Sequence, residues 1–351
     1  MIFISYFHDP RDGVGSMRSR FLSEYLTHNK IDIYILSKSN TPEIFSKNIL
    51  LWAIYCFFII IRSKSKKIYV SCGPFVHLPL IVLASIITRK ELIVDFRDPW
   101  SFNIASGYGG KKNVNNKKLY FAQFIEKCTY KYCKYFIVCT PGLKKKYTEL
   151  FGSSKKILLI LNGHNINSEK IKPIIKNNNQ NELSFVCLGK FSTYNENKAY
   201  KTLKEIKDFK SRNKDLSIRI EFIGEKEKKT EEIVKQLNLG GITTFTGKLD
   251  YNAALSRAVR ADIGLCNLRD EDLEFGTKVF DYIGLGIPIF DCFNEGSEFK
   301  EFFDPYLTKF TKRRISLEDS MSFHRRKTYE DKLYVFKNLS GGKNNEDSYI
   351  S

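Results

Sequence analysis

The segment ELIVDFRDPW, residues 91 to 100, is a short run of strand-forming sequence that stops at a knot of charge. In an open α/β sheet, ligands bind just beyond the carboxyl ends of the strands. The segment therefore puts Asp95, Arg97, Asp98 and Trp100 at that edge. Two carboxylates flanking an arginine either orient a ligand hydroxyl or hold a salt-linked loop. Reading outward, further apolar runs at 1–6, 31–36, 67–71 and 135–139 alternate with helix-length stretches at 16–27, 42–62, 75–88 and 120–132. That is the rhythm of βαβ units. The apolar runs are uninterrupted rather than alternating, which suits a parallel sheet covered on both faces.

A strand at 157–161 ends in Asn162-Gly163 and gives way to a polar stretch containing KNNNQN. Turn-forming and polar residues of this kind mark a connection, placed at 166–182. The rhythm then restarts with strands at 183–188, 218–223, 243–245, 262–266 and 287–290. The expectation is an α/β chain of two Rossmann-like, doubly wound halves, 1–165 and 183–324. A final helix at 325–340 packs back on the first half, and 341–351 is a frayed tail. A chain of 351 residues agrees with two cores, since a single core stops growing near roughly 250 to 300 residues.

Composition narrows the class of function. With 42% hydrophobic and 27% charged residues the chain is globular. Its eight cysteines form no CxxC pair and its five histidines are scattered, so they read as buried thiols in a reducing compartment and not as a zinc site. MIFISYF lacks a basic segment and a cleavage signal, which points to a strand and a cytoplasmic protein. The longest apolar run, 49–61, has 13 residues, short of the roughly 20 that span a bilayer. A net charge of +18 calls for an anionic partner or reflects a composition biased toward Lys, Asn and Ile, a bias that contributes here. Basic knots at 64–67, 111–118 and 144–146 come without a zinc finger, an RNP-like motif or a basic heptad helix, so an anionic membrane surface is favoured over nucleic acid.

The first strand leads into HDPRDGVGSMRSR, where Gly13 and Gly15 precede a helix expected from Ser16. Glycines there either shape a tight turn or let a pyrophosphate approach the helix amides. Arg18 stands where the dinucleotide fingerprint GxGxxG needs its third glycine, which argues against a nicotinamide enzyme.

Taken in order, GVGSMRS (13–19), DFRDPW (95–100), VCTPGL (138–143) and ILNGHN (160–165) resemble the family-4 group of GT-B glycosyltransferases, over residues 1–305. The resemblance implies a GT-B fold and transfer from a nucleotide sugar, UDP- or GDP-linked, without a metal or other cofactor. It implies a glycan or lipid-linked acceptor, as in bacterial capsule or O-antigen synthesis, and retention at the anomeric carbon. FVCLGKFSTYNENKAY (185–200) is similar to the family's donor-diphosphate loop, with Lys190 and Lys198 in the matching places. EDLEFGTKVFDYIGLGIPI (271–289) is similar to its acidic motif. Asp281 takes the second acidic position, a ribose contact, but Leu273 falls where the first glutamate belongs, beside Glu274. Gly276, Thr277 and Lys278 then suit phosphate at a helix start.

The resulting expectation assigns chemistry to Arg97, Asp98, Lys190 and Lys198. Donor contacts are Gly15, Lys190, Lys198, Glu274, Gly276, Thr277, Lys278 and Asp281. Acceptor contacts are Gly13, Arg18, Asp95 and Trp100. The protein would work in the cytoplasm, at the inner face of the membrane. Three other readings stay open: a non-catalytic binding protein of the same fold, a sugar-nucleotide epimerase, and, last, a basic nucleic-acid-binding protein.

Overall fold

The computed structural model describes residues 1–106, 115–166 and 181–337. The polar connection at 167–180, residues 107–114 with the first half of the basic knot at 111–118, and the tail lie outside the described residues.

The first sheet comprises β1 (Ile2–Ser5), β2 (Tyr34–Leu36), β3 (Lys67–Cys72), β4 (Glu91–Phe96), β5 (Tyr135–Val138) and β6 (Ile157–Leu159). All are parallel, in the order β2-β1-β3-β4-β5-β6. The connecting helices are α1 (Val14–His28), α2 (Glu43–Ser46), α3 (Ile49–Arg62), α4 (Leu78–Thr88), α5 (Trp100–Ala105), α6 (Asn116–Tyr132) and α7 (Pro141–Phe151). The helix expected over 42–62 is broken in two. Asn48 takes an extended backbone and its side chain accepts from the Leu50 amide at 2.7 Å, so it caps α3 instead of continuing α2.

Strand alternation distributes the core. Ile2, Ile4, Val70, Leu92, Val94 and Phe136 face a layer made by α3, α4, α6 and α7. Phe3, Tyr69, Ile93 and Ile137 face the other way, onto Leu22 and Leu26 of α1.

The second sheet comprises β7 (Glu182–Leu188), β8 (Ser217–Ile223), β9 (Thr243–Phe245), β10 (Ile263–Gly264), β11 (Ile289–Phe290) and β12 (Leu307–Thr308), in the order β12-β11-β10-β7-β8-β9 and again parallel. This is the 3-2-1-4-5-6 order of a dinucleotide-binding sheet. Its helices are α8 (Glu196–Arg212), α9 (Lys228–Gln236), α10 (Tyr251–Ala258), α11 (Thr277–Gly284), α12 (Glu298–Phe303), α13 (Leu317–Ser322) and α14 (Arg325–Glu330).

The chain crosses between the sheets twice. His164 pairs with His324 in an isolated parallel bridge, the His164 amide donates to the Phe323 carbonyl, and the Arg325 amide donates to the His164 carbonyl. After the second crossing, Tyr329, Val335 and Phe336 complete the α1 face of the first sheet.

At the centre of the first half lies a buried ion pair. Arg18 Nε donates to Asp95 Oδ2 at 2.8 Å and Nη2 to Oδ1 at 3.2 Å. The remaining guanidinium donors reach the carbonyls of Ile160 and Leu161 and the Asn162 side chain, while the Tyr69 hydroxyl donates to Asp95 Oδ2. Asp95 is fully buried, so the structure gives it a different part from the acceptor contact expected of it: it anchors Arg18. Burial opposes the Arg18 charge, but Asp95 outweighs it and the pKa rises above the ordinary arginine value.

Removing one member of a buried, fully bonded pair leaves the other charge stranded, at a cost of about 3 to 5 kcal/mol. Arg18→Met should destabilise the first half by that amount. Both tryptophans, Trp52 and Trp100, lie there, so urea unfolding followed by tryptophan fluorescence reads the change. Arg18→Lys should recover little, because an ammonium cannot fill a five-donor fork.

Candidate functional site

The two sheets turn their carboxyl edges toward one another, and the loops at those edges line a cleft of about 260 Å³. From the first half come Gly15 after β1, Arg97 and Asp98 after β4, Thr140 after β5 and Asn162 after β6. Tyr194 after β7, residues 267–269 and 273–278 after β10, and Arg325 line it from the other side. A larger groove of about 940 Å³ lies over β8, β9 and α10. Its guanidinium groups at Arg219 and Arg257 are spoken for by Glu182 and Glu221. The smaller cleft, in contrast, holds polar groups with unfilled hydrogen-bonding capacity.

Arg97 donates through Nη1 to the Gly15 carbonyl at 2.6 Å, and Arg325 through Nε to the Gly163 carbonyl at 2.7 Å. Arg97 Nε and Arg325 Nη1 are buried and have no hydrogen-bond partner among the described residues. Arg269 and Lys278 both lie over the Tyr194 ring, at 5.5 and 5.2 Å, and Lys278 also donates to the Lys190 carbonyl. The cleft wall is thus cationic at several points.

Helix α11 starts at this wall. Gly276, with φ of 66°, is its N-cap and supplies no side-chain cap. The first amides of the helix therefore keep their donors and its partial positive charge. A carboxylate stands beside them. Burial pushes the Glu274 carboxyl above its usual range; Arg269 opposes, and Asp98 and Asp270 add to the rise. Asp98 itself is exposed. Carboxylates from the two halves thus face each other over the same space.

Leu273 occupies the position where an acid was expected, and its surroundings explain it. Its side chain joins the core of the first half, and its carbonyl accepts from Thr140 Oγ1 at 2.9 Å. A polar side chain there would be buried in that apolar cluster. Next to it, α7 approaches so closely that a Cβ on Gly142 would sit 1.6 Å from the Asp272 carbonyl oxygen. The halves touch through these residues.

The other expected residues are placed as follows. Lys190 is exposed, with its carbonyl taken by Lys278. Lys198 is away from the cleft lining, paired with Glu271 and stacked over Phe293 at 5.1 Å; burial lowers its pKa. Asp281, one turn into α11, accepts from the Tyr251 hydroxyl at 2.6 Å. Burial raises its carboxyl to about 6 against the pull of Tyr251 and Arg325. Trp100 stacks on Phe75 with centroids 4.8 Å apart. Gly13, with φ of 65° and open space around it, serves the backbone turn into α1. Thr277 follows Gly276 on the wall.

Glu227 was not expected. Its carboxylate accepts from the amides of Phe191 (2.6 Å), Ser192 (3.2 Å) and Thr193 (2.9 Å), and from the hydroxyls of Thr193 and Thr230. Burial alone would raise this carboxyl, but the hydrogen bonds, led by Thr193, hold it below the usual range. It fixes the loop that carries Lys190 and Tyr194. Arg269 and Arg325 were also missed, as arginines outside any motif. Among the described residues no group of three or more His, Cys, Asp and Glu side chains is placed to hold a metal ion.

No protein-family model matches the chain, and no curated protein matches it in sequence. Solved structures do match in fold. The sucrose-phosphate synthase of Thermosynechococcus elongatus aligns with a TM-score of 0.62 at 14% identity, over 96% of this chain and 94% of that one. WaaG, a glycosyltransferase involved in lipopolysaccharide biosynthesis, aligns with a TM-score of 0.58 at 12% identity, over 95% and 91%. Anabaena HepE, in complex with UDP and glucose, aligns with a TM-score of 0.55 at 12% identity, over 96% and 95%. The fold is GT-B: two doubly wound α/β halves facing across a cleft.

Two outcomes follow from the contacts. Gly142→Ala places a methyl into the Asp272 carbonyl, so the halves must separate locally; the radius of gyration by small-angle scattering should rise and stability fall by about 1 to 3 kcal/mol. Glu227→Gln should cost about 1 to 3 kcal/mol at neutral pH. Because the folded carboxyl titrates below its ordinary value near about 4.3, that stabilisation is complete above this pH and is lost as pH falls through the lowered value. The gap between wild type and variant, measured by thermal melts, should close in acid.

Proposed function

We propose that this chain transfers a sugar from a nucleotide-activated donor, UDP- or GDP-linked, to a glycan or lipid-linked acceptor, as in bacterial capsule or O-antigen synthesis. The observation that carries the reading is the uncapped amino end of α11 in a cleft with unfilled arginine donors. Such a wall suits a diphosphate.

In this reading the diphosphate lies against Gly276, Thr277 and Lys278, with Lys190 reaching it from the facing loop. As the bond from the anomeric carbon to the diphosphate oxygen breaks, negative charge grows on the leaving group. Fixed cations and helix amides stabilise that charge more than they stabilise the ground state. The acceptor hydroxyl forms the new bond to the anomeric carbon and releases its proton. Retention there is taken from the family resemblance, as is the absence of a metal requirement. Glu274 meets the donor sugar from one side and Asp98, with Arg97, from the other. Gly15 and Arg18 form the floor. Arg18 and Asp95 act on the acceptor by holding that floor, Trp100 by bracing the loop that bears Asp98, and Gly13 by turning the chain into α1. Lys198 positions Glu271 and the loop leading to α11. Contact between the halves at Leu273 and Gly142 excludes water, the competing acceptor.

Residues 1–165 and 183–324 act as acceptor and donor domains, and the reaction takes place on the cytoplasmic side of a membrane. One observation favours a second reading, a non-catalytic binding protein: the packed Leu273 where the family has an acid. Purified protein mixed with UDP- and GDP-sugars separates the two, because only the first releases nucleoside diphosphate on adding acceptor.

Ligand contacts can be assigned by comparing bare nucleoside diphosphate with nucleotide sugar. Lys278→Ala should weaken both by about tenfold or more, the loss of one charge-assisted contact. Glu274→Gln should weaken only the nucleotide sugar. Asp281 accepts ribose hydroxyls best when ionised, so wild-type affinity should fall as pH drops through about 6. Asp281→Asn should bind about tenfold more weakly at pH 8 and lose that component of the pH dependence; calorimetric titration across pH measures both.

A further inference from the structure

The charge of this protein is concentrated in one part of the chain. Residues 44–148 hold eighteen Lys and Arg against four Asp and Glu, a net of +14 within the chain's +18. Three of the four acids are engaged and the fourth turns toward the cleft. Glu91 is bound by Lys134 and Lys67, Asp95 by Arg18, Glu126 is buried under Tyr147 and Ser101, and Asp98 faces the cleft. From residue 44 to residue 90 there is no acid at all.

The same segment builds the layer of α3, α4 and α6, which pack side by side over the first sheet. Each helix buries one apolar stripe inward, as Trp52, Cys56 and Ile60 of α3 do. Each then shows a second stripe to the outside. Ile54 and Phe58 of α3, Leu83 and Ile87 of α4, and Phe121 and Phe124 of α6 are all exposed, Phe58 by 50%, Ile87 by 57% and Phe124 by 62%. A helix apolar on both sides is ordinarily covered on both sides. Here cations border the outer stripe: Arg62, Lys64 and Lys66 follow α3, Arg89 ends α4, and Lys117, Lys118, Lys127 and Lys131 lie on α6, all exposed. Among the described residues no helix is long and apolar enough to cross a membrane.

We infer that the outer face of α3, α4 and α6 docks on an anionic phospholipid surface, its apolar stripes entering the headgroup boundary and its cations meeting lipid phosphates. Exposed apolar side chains on one layer of helices, with a cationic border, match an interface that is apolar inside and anionic outside. A second copy of the chain is a poor occupant, because two faces of this charge repel. Nucleic acid would leave the aliphatic centre without a partner. The inference stands on surface chemistry and is independent of the sugar-transfer reading.

The test uses the full chain with sedimenting vesicles of phosphatidylcholine, alone or mixed with phosphatidylglycerol. Binding should require the anionic lipid and weaken as salt is raised. The double variant Phe58→Ser, Phe124→Ser and the double variant Lys64→Glu, Lys66→Glu should each lose about tenfold or more in vesicle affinity. All four positions are exposed, so melting temperatures and nucleotide-sugar binding should stay at wild-type values, which separates loss of docking from loss of fold or of donor binding. The inference is overturned if wild type ignores anionic vesicles at low salt, or if both variants bind as wild type does. It is also overturned if the face instead supports self-association or binding to duplex DNA that the variants abolish while vesicles are ignored.

Discussion

Five N–H donors of one arginine hold the first half of this protein together. Arg18 projects from the first helix, grips Asp95 in the fourth strand, and ties down the carbonyls at Ile160 and Leu161 as the chain leaves for the second half. A buried charge costs least when every polar atom is answered. Meeting that condition fixes how α1, β4 and the end of β6 sit relative to one another. The floor of the cleft follows from it, since Gly15 one turn earlier carries the carbonyl that orients Arg97.

Periodicity made most of the architecture legible, because a parallel strand covered on both faces has to be apolar throughout. β3 and β4, nearly all buried, are examples. It failed at short elements. The run over 262–266 supplies only two residues of ladder, Ile263–Gly264, and β12 was not foreseen, since two residues carry no pattern. At the site, the edge rule located Arg97 and Asp98 in the cleft, and the acidic-motif resemblance located Glu274 and Lys278 there. Asp95 was not legible as an anchor: its partner is 77 residues away, and no local spacing announces a buried pair. Lys198 was misleading for a similar reason, since its position matched a motif while Glu271 claimed its charge. Arg325 reaches the cleft from the end of the chain, which only the fold reveals.

The departure at Leu273 shows how one site can be pulled by two demands. The loop between β10 and α11 has to present polar atoms to the cleft and also seal the contact with α7. The hydrophobic demand is met by Leu273 and the polar one by its neighbour Glu274. Gly142 makes this possible, because any larger residue would collide with the loop backbone. The resemblance by position puts an acid where Leu273 stands; the structure puts the Leu273 side chain in the core of the first half and Glu274 beside it at the cleft.

The return of the chain to its starting half has a consequence for synthesis. Tyr329, Val335 and Phe336 cover the face of the first sheet formed by Phe3, Tyr69, Ile93 and Ile137. As the polypeptide leaves the ribosome, amino-terminal units ordinarily fold first. Here the earliest strands emerge long before the residues that cover them, and that face stays partly open until the last residues of the second half are made. The first half is therefore completed last. A chain stopped short of residue 329 would carry an intact second sheet beside an unsealed first one, with apolar surface that chaperones and proteases recognise.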